Sequence, residues 1–316
     1  MSLSFIPSHI VQSPEWSAFK AVTGRETYFL GGVSISTHKL PLLPVKVGYC
    51  PKVNPFLVNW DELSKLGKKE KICFIRFDVP NIAKEDDKAA EAVEIMEKHC
   101  RKSPKNTFAK HTIYLDISIS EDKLLVQMQP KTRYNIRLSA KKGVVVKEES
   151  NEDGLSVFLS LQKQTADRQR FYVHPDSYYQ RLWRILFPKE MAHLLVARFK
   201  GEPLAAWMVF TYKGVLYYPY GGSSIEKQNL MASNLLAWEA IKFGKKLHCK
   251  LFDMWGAGDP HDSSDPWQGF TRFKLGYGGQ VVEFIDSYDL VLQPNAYELF
   301  NLVYSVAWKV LRLIKG

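Results

Sequence analysis

Three consecutive apolar runs decide the architecture of this chain: His193-Leu194-Leu195-Val196-Ala197-Arg198-Phe199, Pro203-Leu204-Ala205-Ala206-Trp207-Met208-Val209-Phe210-Thr211-Tyr212 and Val215-Leu216-Tyr217-Tyr218-Pro219-Tyr220. Each is rich in branched and aromatic residues, and each is separated from the next by Lys-Gly: Lys200-Gly201-Glu202 and Lys213-Gly214. Runs of this composition joined by such tight links read as strands in successive hairpins. Asn229 to Phe243 then has helical character and stops before Gly244, where glycine relaxes the helix end. Lys250-Leu251-Phe252-Asp253-Met254-Trp255 reads as the next strand.

Sheet, helix, then a further strand is the order of acyl-CoA N-acetyltransferase-like (GNAT-like) domains. The first part of the chain shows a related alternation. Ser13 is placed to cap a helix opening at Pro14. Thr27–Leu30, Gly32–Thr37, Ile72–Phe77 and Thr112–Ile117 read as strands, and Asp78-Val79-Pro80 stops the third of them. Asp86–His99 is helical in period, with Ala89, Ala92, Val93 and Met96 on one side. Leu155–Arg168 and Ser177–Phe187 read as two further helices. The expected fold class is α/β (α+β): two copies of one GNAT-like architecture with mixed sheets, not a sequence repeat.

The 316 residues suffice for two ordinary domains, and the hydrophobic share of 46% is that of a globular protein. The net charge of +10 implies attraction to RNA, anionic lipid or phosphorylated substrates. Cys50, Cys73, Cys100 and Cys249 are scattered, without the spacing of a zinc site or a disulfide framework, and fit a cytoplasmic protein. No signal peptide and no membrane-spanning run are expected.

Gly269-Phe270-Thr271-Arg272-Phe273-Lys274-Leu275-Gly276-Tyr277-Gly278-Gly279 precedes a strand-like Val281–Ile285. A lysine among aromatics and glycines can present a fixed charge to a developing oxyanion or a phosphate. Residue types alone equally describe a hairpin with an exposed lysine, the commoner arrangement. From Lys123 to Lys147 there are seven basic residues and no acidic one. Arg133, Arg137 and Lys141, four apart, form a stripe on a helix that Pro130 would start and Gly143 would end. The stripe is either a solvated face or a binding surface for an acidic ligand. Tyr218 and Tyr220 alternate around Pro219, so their rings should share one side of a strand, lining a groove or packing in the core. Asp78 is either a general base or, more simply, a turn cap. Asp253, Asp259, His261, Asp262 and Asp265 read as a polar loop, so no metal is expected. The segment before the helix, Ile225-Glu226-Lys227-Gln228-Asn229-Leu230-Met231, lacks the glycines that let a loop close on the pyrophosphate of an acyl-CoA. There is no Walker loop and no Gly-x-Ser-x-Gly elbow.

The segment ending in Lys274 resembles the Phe-Lys-x-Gly-Phe-Gly-Gly stretch of the Fem-type (FemABX) aminoacyltransferases. Other matches follow in order: Gln12 to Lys20, Lys131 to Val144, Asp167-Arg168 with Tyr172-Val173-His174-Pro175, and Tyr217 to Gly222. The resemblance spans nearly the whole chain and is that of a member lacking the family's coiled coil. It implies transfer of an amino acid from aminoacyl-tRNA to the stem peptide of a nucleotide- or lipid-linked peptidoglycan precursor. No cofactor and no ATP are then required, because the ester is already activated. Two domains are implied, 1–110 plus 285–316 for the precursor, with the final helix packing back, and 111–284. Lys274 would stabilise the oxyanion with Phe273 fixing its direction. Lys20 would contact the precursor's diphosphate. His174 stands where the family can have an arginine for the same phosphates, a shorter group that is mostly neutral at pH 7; Arg168 or Arg170 would compensate. Arg168, Tyr218 and Tyr220 complete the substrate site, and Arg133, Arg137 and Lys141 would hold the tRNA.

Tyr297 to Lys315 reads as an amphipathic basic helix that packs on the first domain or touches an anionic membrane surface. The expected protein is monomeric and cytoplasmic, at the inner face of the membrane. Two other readings share the fold or the charge: an acyl-CoA-dependent N-acyltransferase, and a non-catalytic RNA- or membrane-binding protein.

Overall fold

A computed structural model describes residues 8–39, 45–169, 173–262 and 264–303. The chain divides into two compact units, one of residues 109–283 and the other built from the described parts of 4–108 and 284–316. Each unit has a mixed sheet with helices, as the alternation of strand and helix signals predicts.

In the terminal unit, the Ser13 hydroxyl accepts the Trp16 amide at 3.0 Å and starts α1 (Pro14–Val22). The antiparallel strands β1 (Glu26–Leu30), β2 (Val33–Lys39) and β3 (Lys46–Pro51) follow. A crossover through α2 (Trp60–Lys69) then brings β4 (Ile72–Asp78) parallel to β3. The β4 run of seven residues is buried throughout, which is why it reads as unbroken hydrophobicity rather than alternation. Next come α3 (Ala89–His99) and the short β5 (Arg101–Lys102). Ala89, Ala92 and Met96 of α3 are buried, the side expected from the spacing.

The central unit contains β6 (His111–Asp116), α4 (Glu121–Gln127), α5 (Pro130–Lys141), β7 (Val144–Glu148), α6 (Glu152–Gln169), α7 (Asp176–Leu186), β8 (Ala192–Phe199), β9 (Glu202–Tyr212), β10 (Val215–Ser223), α8 (Ala232–Lys246), β11 (Leu251–Ala257), α9 (Gln268–Leu275) and β12 (Gln280–Glu283). Its strand order is β12-β6-β11-β10-β9-β8-β7, with only the β10–β11 pair parallel. The two hairpin links turn through left-handed residues at Lys200 and Lys213, each followed by a glycine. On one face Leu195, Trp207, Val209 and Leu216 pack with Leu235, Leu236, Ala240 and Ile241 of α8. On the other, α6 lies so close to β10 that a Cβ on Gly222 would come within 2.4 Å of the Gln162 nitrogen. Only glycine allows this approach.

The chain then returns to the first sheet as β13 (Tyr288–Val291), between β4 and β5. Arg76 of β4 and Asp289 of β13 form a buried bidentate pair at 2.8 and 2.7 Å. The helix over 294–303 follows, and Tyr297 places its ring 5.1 Å from Phe74 and its hydroxyl on Asp289 at 2.9 Å. Most of the amphipathic tail expected to Lys315 lies outside the described residues. No described helix is long and apolar enough to cross a membrane.

Candidate functional site

The parallel strands β10 and β11 part company after three residue pairs. They are in register at Val215/Leu251, Leu216/Phe252 and Tyr217/Asp253. Beyond that level β10 stays with β9 and β11 stays with β6, and both strands carry a bulge there, between Tyr217 and Tyr220 and between Asp253 and Gly256. A parting of strands strips backbone carbonyls of their ladder partners, and buried carbonyls need replacements.

Lys274 supplies them. Its Nζ donates to the Met254 carbonyl at 2.5 Å and the Gly256 carbonyl at 2.6 Å. The side chain is wholly buried. The glycine-rich hairpin with an exposed lysine, which residue types alone favour, is therefore not what forms. Residues Gln268–Leu275 are helical, Gly269 lies inside the helix, and the glycines after Leu275 end it. Gly278 has φ +86° and its missing Cβ avoids the Gln127 carbonyl, so the chain can turn into β12 there. The helix also changes which ring meets the lysine. Phe270, one turn earlier, puts its ring centroid 3.9 Å from Nζ, and Tyr218 lies at 5.7 Å. Phe273, the sequence neighbour expected in that place, points elsewhere and packs edge-on against Tyr277 at 5.4 Å. Adjacent residues on a helix diverge by about 100°, whereas positions four apart share a face.

Burial holds the Lys274 pKa down at about 7, against an opposing pull from the Asp253 carboxylate. An ammonium has three donors. Two are held by β11 carbonyls, and the Phe270 ring faces the same ammonium.

The polar-loop reading places Asp253 with Asp259, His261, Asp262 and Asp265, and the structure separates it from them. Asp253 is buried in β11, accepting from the Thr112 hydroxyl at 2.5 Å and the Trp255 amide at 2.8 Å. Asp259, Asp262 and Asp265 accept local backbone amides in their own loop, at 2.8 to 2.9 Å. Among the described residues no group of three His, Cys, Asp or Glu is placed to hold a metal.

The bulge in β10 also corrects the reading of Tyr218 and Tyr220. One extra residue breaks the alternation, so the two rings face opposite sides of the sheet. Tyr218 stacks on Trp207 at 3.6 Å, on the α8 face. Tyr220 joins Tyr178, Tyr179 and Phe210 on the other face, with a 3.1 Å hydrogen bond to the Tyr178 hydroxyl. His174, exposed, stacks on Tyr178 at 3.8 Å. Arg168 is a latch between α6 and the end of β10: it donates to the Ser223 carbonyl and hydroxyl, both at 3.1 Å. Arg170 lies outside the described residues.

The expected helix at Pro130 forms, and Arg137 and Lys141 are exposed on it. Arg133 has a structural task instead. Its guanidinium donates to the Leu125, Val126 and Met128 carbonyls at the end of α4. In the other unit, Lys20 lies in the last turn of α1 with its Nζ 5.1 Å from the Phe19 ring centroid. Burial, with a contribution from Arg25, lowers its pKa to about 8. Asp78 is neither exposed base nor cap of the next turn. It is fully buried and accepts from the Tyr49 hydroxyl at 2.6 Å, the Thr107 and Phe108 amides at 2.9 and 2.7 Å and the Ser287 hydroxyl at 2.8 Å. Before α8, left-handed residues Lys227 and Met231 stand where a pyrophosphate loop would have glycines.

Sequence reading missed Phe270, Thr112 and the part played by Asp253. A helical assignment of 268–275 would have exposed the four-residue spacing to Phe270. Nothing local marks Thr112, which reaches the site only through strand pairing.

The FemAB family profile matches residues 104–202 and 199–305. The lipid II:glycine glycyltransferase of Staphylococcus haemolyticus (strain JCSC1435) is 22% identical over 389 aligned positions, covering 95% of this chain and 91% of that protein. The enzyme of the same name from Staphylococcus aureus (strain MRSA252) is 22% identical over 91% of this chain and 87% of its own. The crystal structure of FemX superposes with a TM-score of 0.84 at 18% identity, over 92% of this chain and 94% of that one. The C-terminal domain of a putative lysylphosphatidylglycerol synthetase from Agrobacterium fabrum gives 0.60 at 12% identity, over 92% and 91%. The two units, their mixed sheets and the profile match across most of the chain lead to one assignment: this protein belongs to the FemAB family.

Proposed function

We propose that this chain is an aminoacyltransferase that moves an amino acid from aminoacyl-tRNA to the stem peptide of a peptidoglycan precursor. The observation that carries the reading is the near full-length similarity to proteins named lipid II:glycine glycyltransferases. The buried ammonium at the opening between β10 and β11 gives that activity a chemical basis. The stem-peptide amine attacks the ester carbonyl, and a C–N bond forms. The oxyanion then collapses, the C–O bond to the tRNA ribose breaks, and the amine proton ends on the ribose hydroxyl. An ester has a good leaving group, so the step asks mainly for charge stabilisation.

Lys274 is the group assigned to that oxyanion, with Phe270 rather than Phe273 beside it. Lys20 and His174 are assigned to the precursor's diphosphate. Arg137 and Lys141 are the stripe residues left to steer tRNA, since Arg133 serves α4. Arg168 and Tyr218 shape the strand end and the sheet face from behind, and Tyr220 with Tyr178 supports His174. The protein acts at the inner face of the cell membrane, where a lipid-linked precursor is accessible.

The test is to incubate purified protein with a mixture of charged tRNAs and, separately, the nucleotide-linked and the lipid-linked precursor. Mass spectrometry of the stem peptide should show the gain of one or more aminoacyl residues in at least one arm. No gain with either acceptor, under conditions where a known glycyltransferase succeeds, overturns the reading.

A further inference from the structure

The geometry points to Asp253 as a positioning residue for Lys274, acting with Thr112 by fixing the bulge whose two carbonyls seat the ammonium. This rests on the reading of Lys274 as the oxyanion-stabilising group.

The seat is made of the Met254 and Gly256 carbonyls, so its shape depends on the residue between them. That residue, Trp255, has φ +60°, a left-handed conformation that side-chain-bearing residues rarely adopt without support. The support is on both sides of the peptide. Asp253 Oδ1 accepts the Trp255 amide at 2.8 Å. Thr112, on β6 opposite Gly256, has its hydroxyl 2.5 Å from Asp253 Oδ1 and 2.7 Å from the Trp255 carbonyl. One hydroxyl proton serves two acceptors, which ties the strand neighbour, the carboxylate and the bulge into one unit. Asp253 is 2% exposed, a costly place for a carboxylate whose only task is a kink in a strand.

Among the described residues, the groups that face Lys274 are few. They are the two β11 carbonyls, the Phe270 ring from α9, the Tyr218 ring from β10 and the Asp253 carboxylate. Tyr218 is kept neutral by burial, which raises its pKa. Asp253 is therefore the acidic group among them, and its charge favours the protonated lysine. A residue that both sets the seat and favours the charged form has two separable signatures.

The first signature is read without substrate. Lysine side chains labelled with ¹³C are titrated by NMR, with the Lys274 signal identified by its absence in Lys274→Met. Asp253→Asn keeps an oxygen for the Trp255 amide but removes the charge, so the Lys274 midpoint should fall by about one unit. The second is kinetic. Thr112→Val should lower kcat about ten- to a hundredfold with KM little changed, as misplacement of a reacting group does. Thr112→Ser should restore it.

A folded Asp253→Asn protein with an unmoved Lys274 midpoint overturns the proposal, as does a Thr112→Val enzyme with kcat within twofold of wild type. If Asp253→Asn does not fold, the Thr112 pair decides alone. If no transferase activity is found with any acceptor, the functional reading fails, while the NMR midpoint still reports whether Asp253 governs Lys274.

Discussion

Lys274 and Phe270 stand one turn apart on α9, and the Phe270 ring centroid lies 3.9 Å from the Lys274 ammonium. Phe270 is 44% exposed and Lys274 is 0% exposed, so the ring stands between a buried cation and water. The same ring that shields the charge also stabilises it through its face. Strand parting, two orphan carbonyls and one aromatic lid thus create a cation site without a carboxylate in direct contact.

Replacing Lys274 with Met should lower transferase turnover about 10²–10³-fold while circular dichroism stays unchanged, as removal of one oxyanion donor does. Turnover of the wild type should fall as pH rises through about 7, because the ammonium form does the work and burial holds its pKa there. A stability signature accompanies it. The lysine binds its proton more weakly folded than unfolded, so stability should rise with pH between about 7 and 10.5, the folded and ordinary values. Denaturant titrations across that range should show the rise in wild type and a flatter profile in Lys274→Met.

Opening the lid tests the cause of the shift. Phe270→Ala admits water to the ammonium, so the Lys274 pKa should climb and the alkaline limb of the rate profile should move to higher pH. Turnover at pH 7 should also change, since the ring no longer fixes the cation. A limb that stays near pH 7 would mean that burial by other groups sets the shift.

Lys20→Ala should raise KM for the precursor more than it lowers kcat, because a phosphate contact acts on ground and transition states alike. Its lowered pKa adds a sign: binding of a diphosphate-bearing precursor should weaken as pH rises through about 8, where the cation is neutralised. Calorimetry with the diphosphate and monophosphate forms checks it. Equal affinity for both would remove Lys20 from the phosphate site.

Arg137→Glu with Lys141→Glu should lower affinity for charged tRNA and flatten its salt dependence. The slope of log affinity against log salt should fall by roughly 0.7–0.9 for each phosphate that the protein no longer neutralises. Arg133→Ala should act differently, lowering the melting temperature through the unpaired α4 carbonyls while leaving the salt slope close to wild type. An unchanged slope in the folded double mutant would place the tRNA elsewhere.

In the terminal unit, Asp289→Ala should destabilise by about 3–5 kcal/mol, since it strands the buried Arg76 guanidinium. Tyr297→Phe removes one hydrogen bond to Asp289 and should cost about 1 kcal/mol. Truncation after Asn295 removes Tyr297 and Phe300 from Phe74 and should lower the melting temperature. A truncated protein that melts with the full chain would show that these rings contribute little.

What the sequence determined by itself was local and periodic. Lys200-Gly201 and Lys213-Gly214 specify tight turns because their backbone needs are met within two residues. Ser13 before Pro14 specifies a helix start, and the spacing of Ala89, Ala92 and Met96 specifies a buried helix face, for the same reason. The linear order of motifs around Lys20, Arg133, Tyr217 and Lys274 was enough to suggest the family. Tertiary structure decided everything that depends on strand pairing. The bulge at Tyr217/Tyr220 turned Tyr218 and Tyr220 to opposite faces, because register is fixed by a neighbouring strand and not by alternation alone. The parting of β10 from β11 created the carbonyls that Lys274 occupies, and so buried a lysine that residue types alone would leave at a hairpin surface. Thr112 and Asp253, 141 residues apart, meet only because β6 and β11 are adjacent. A charge's environment is a sum over neighbours in space, and in this chain those neighbours are supplied by sheet topology.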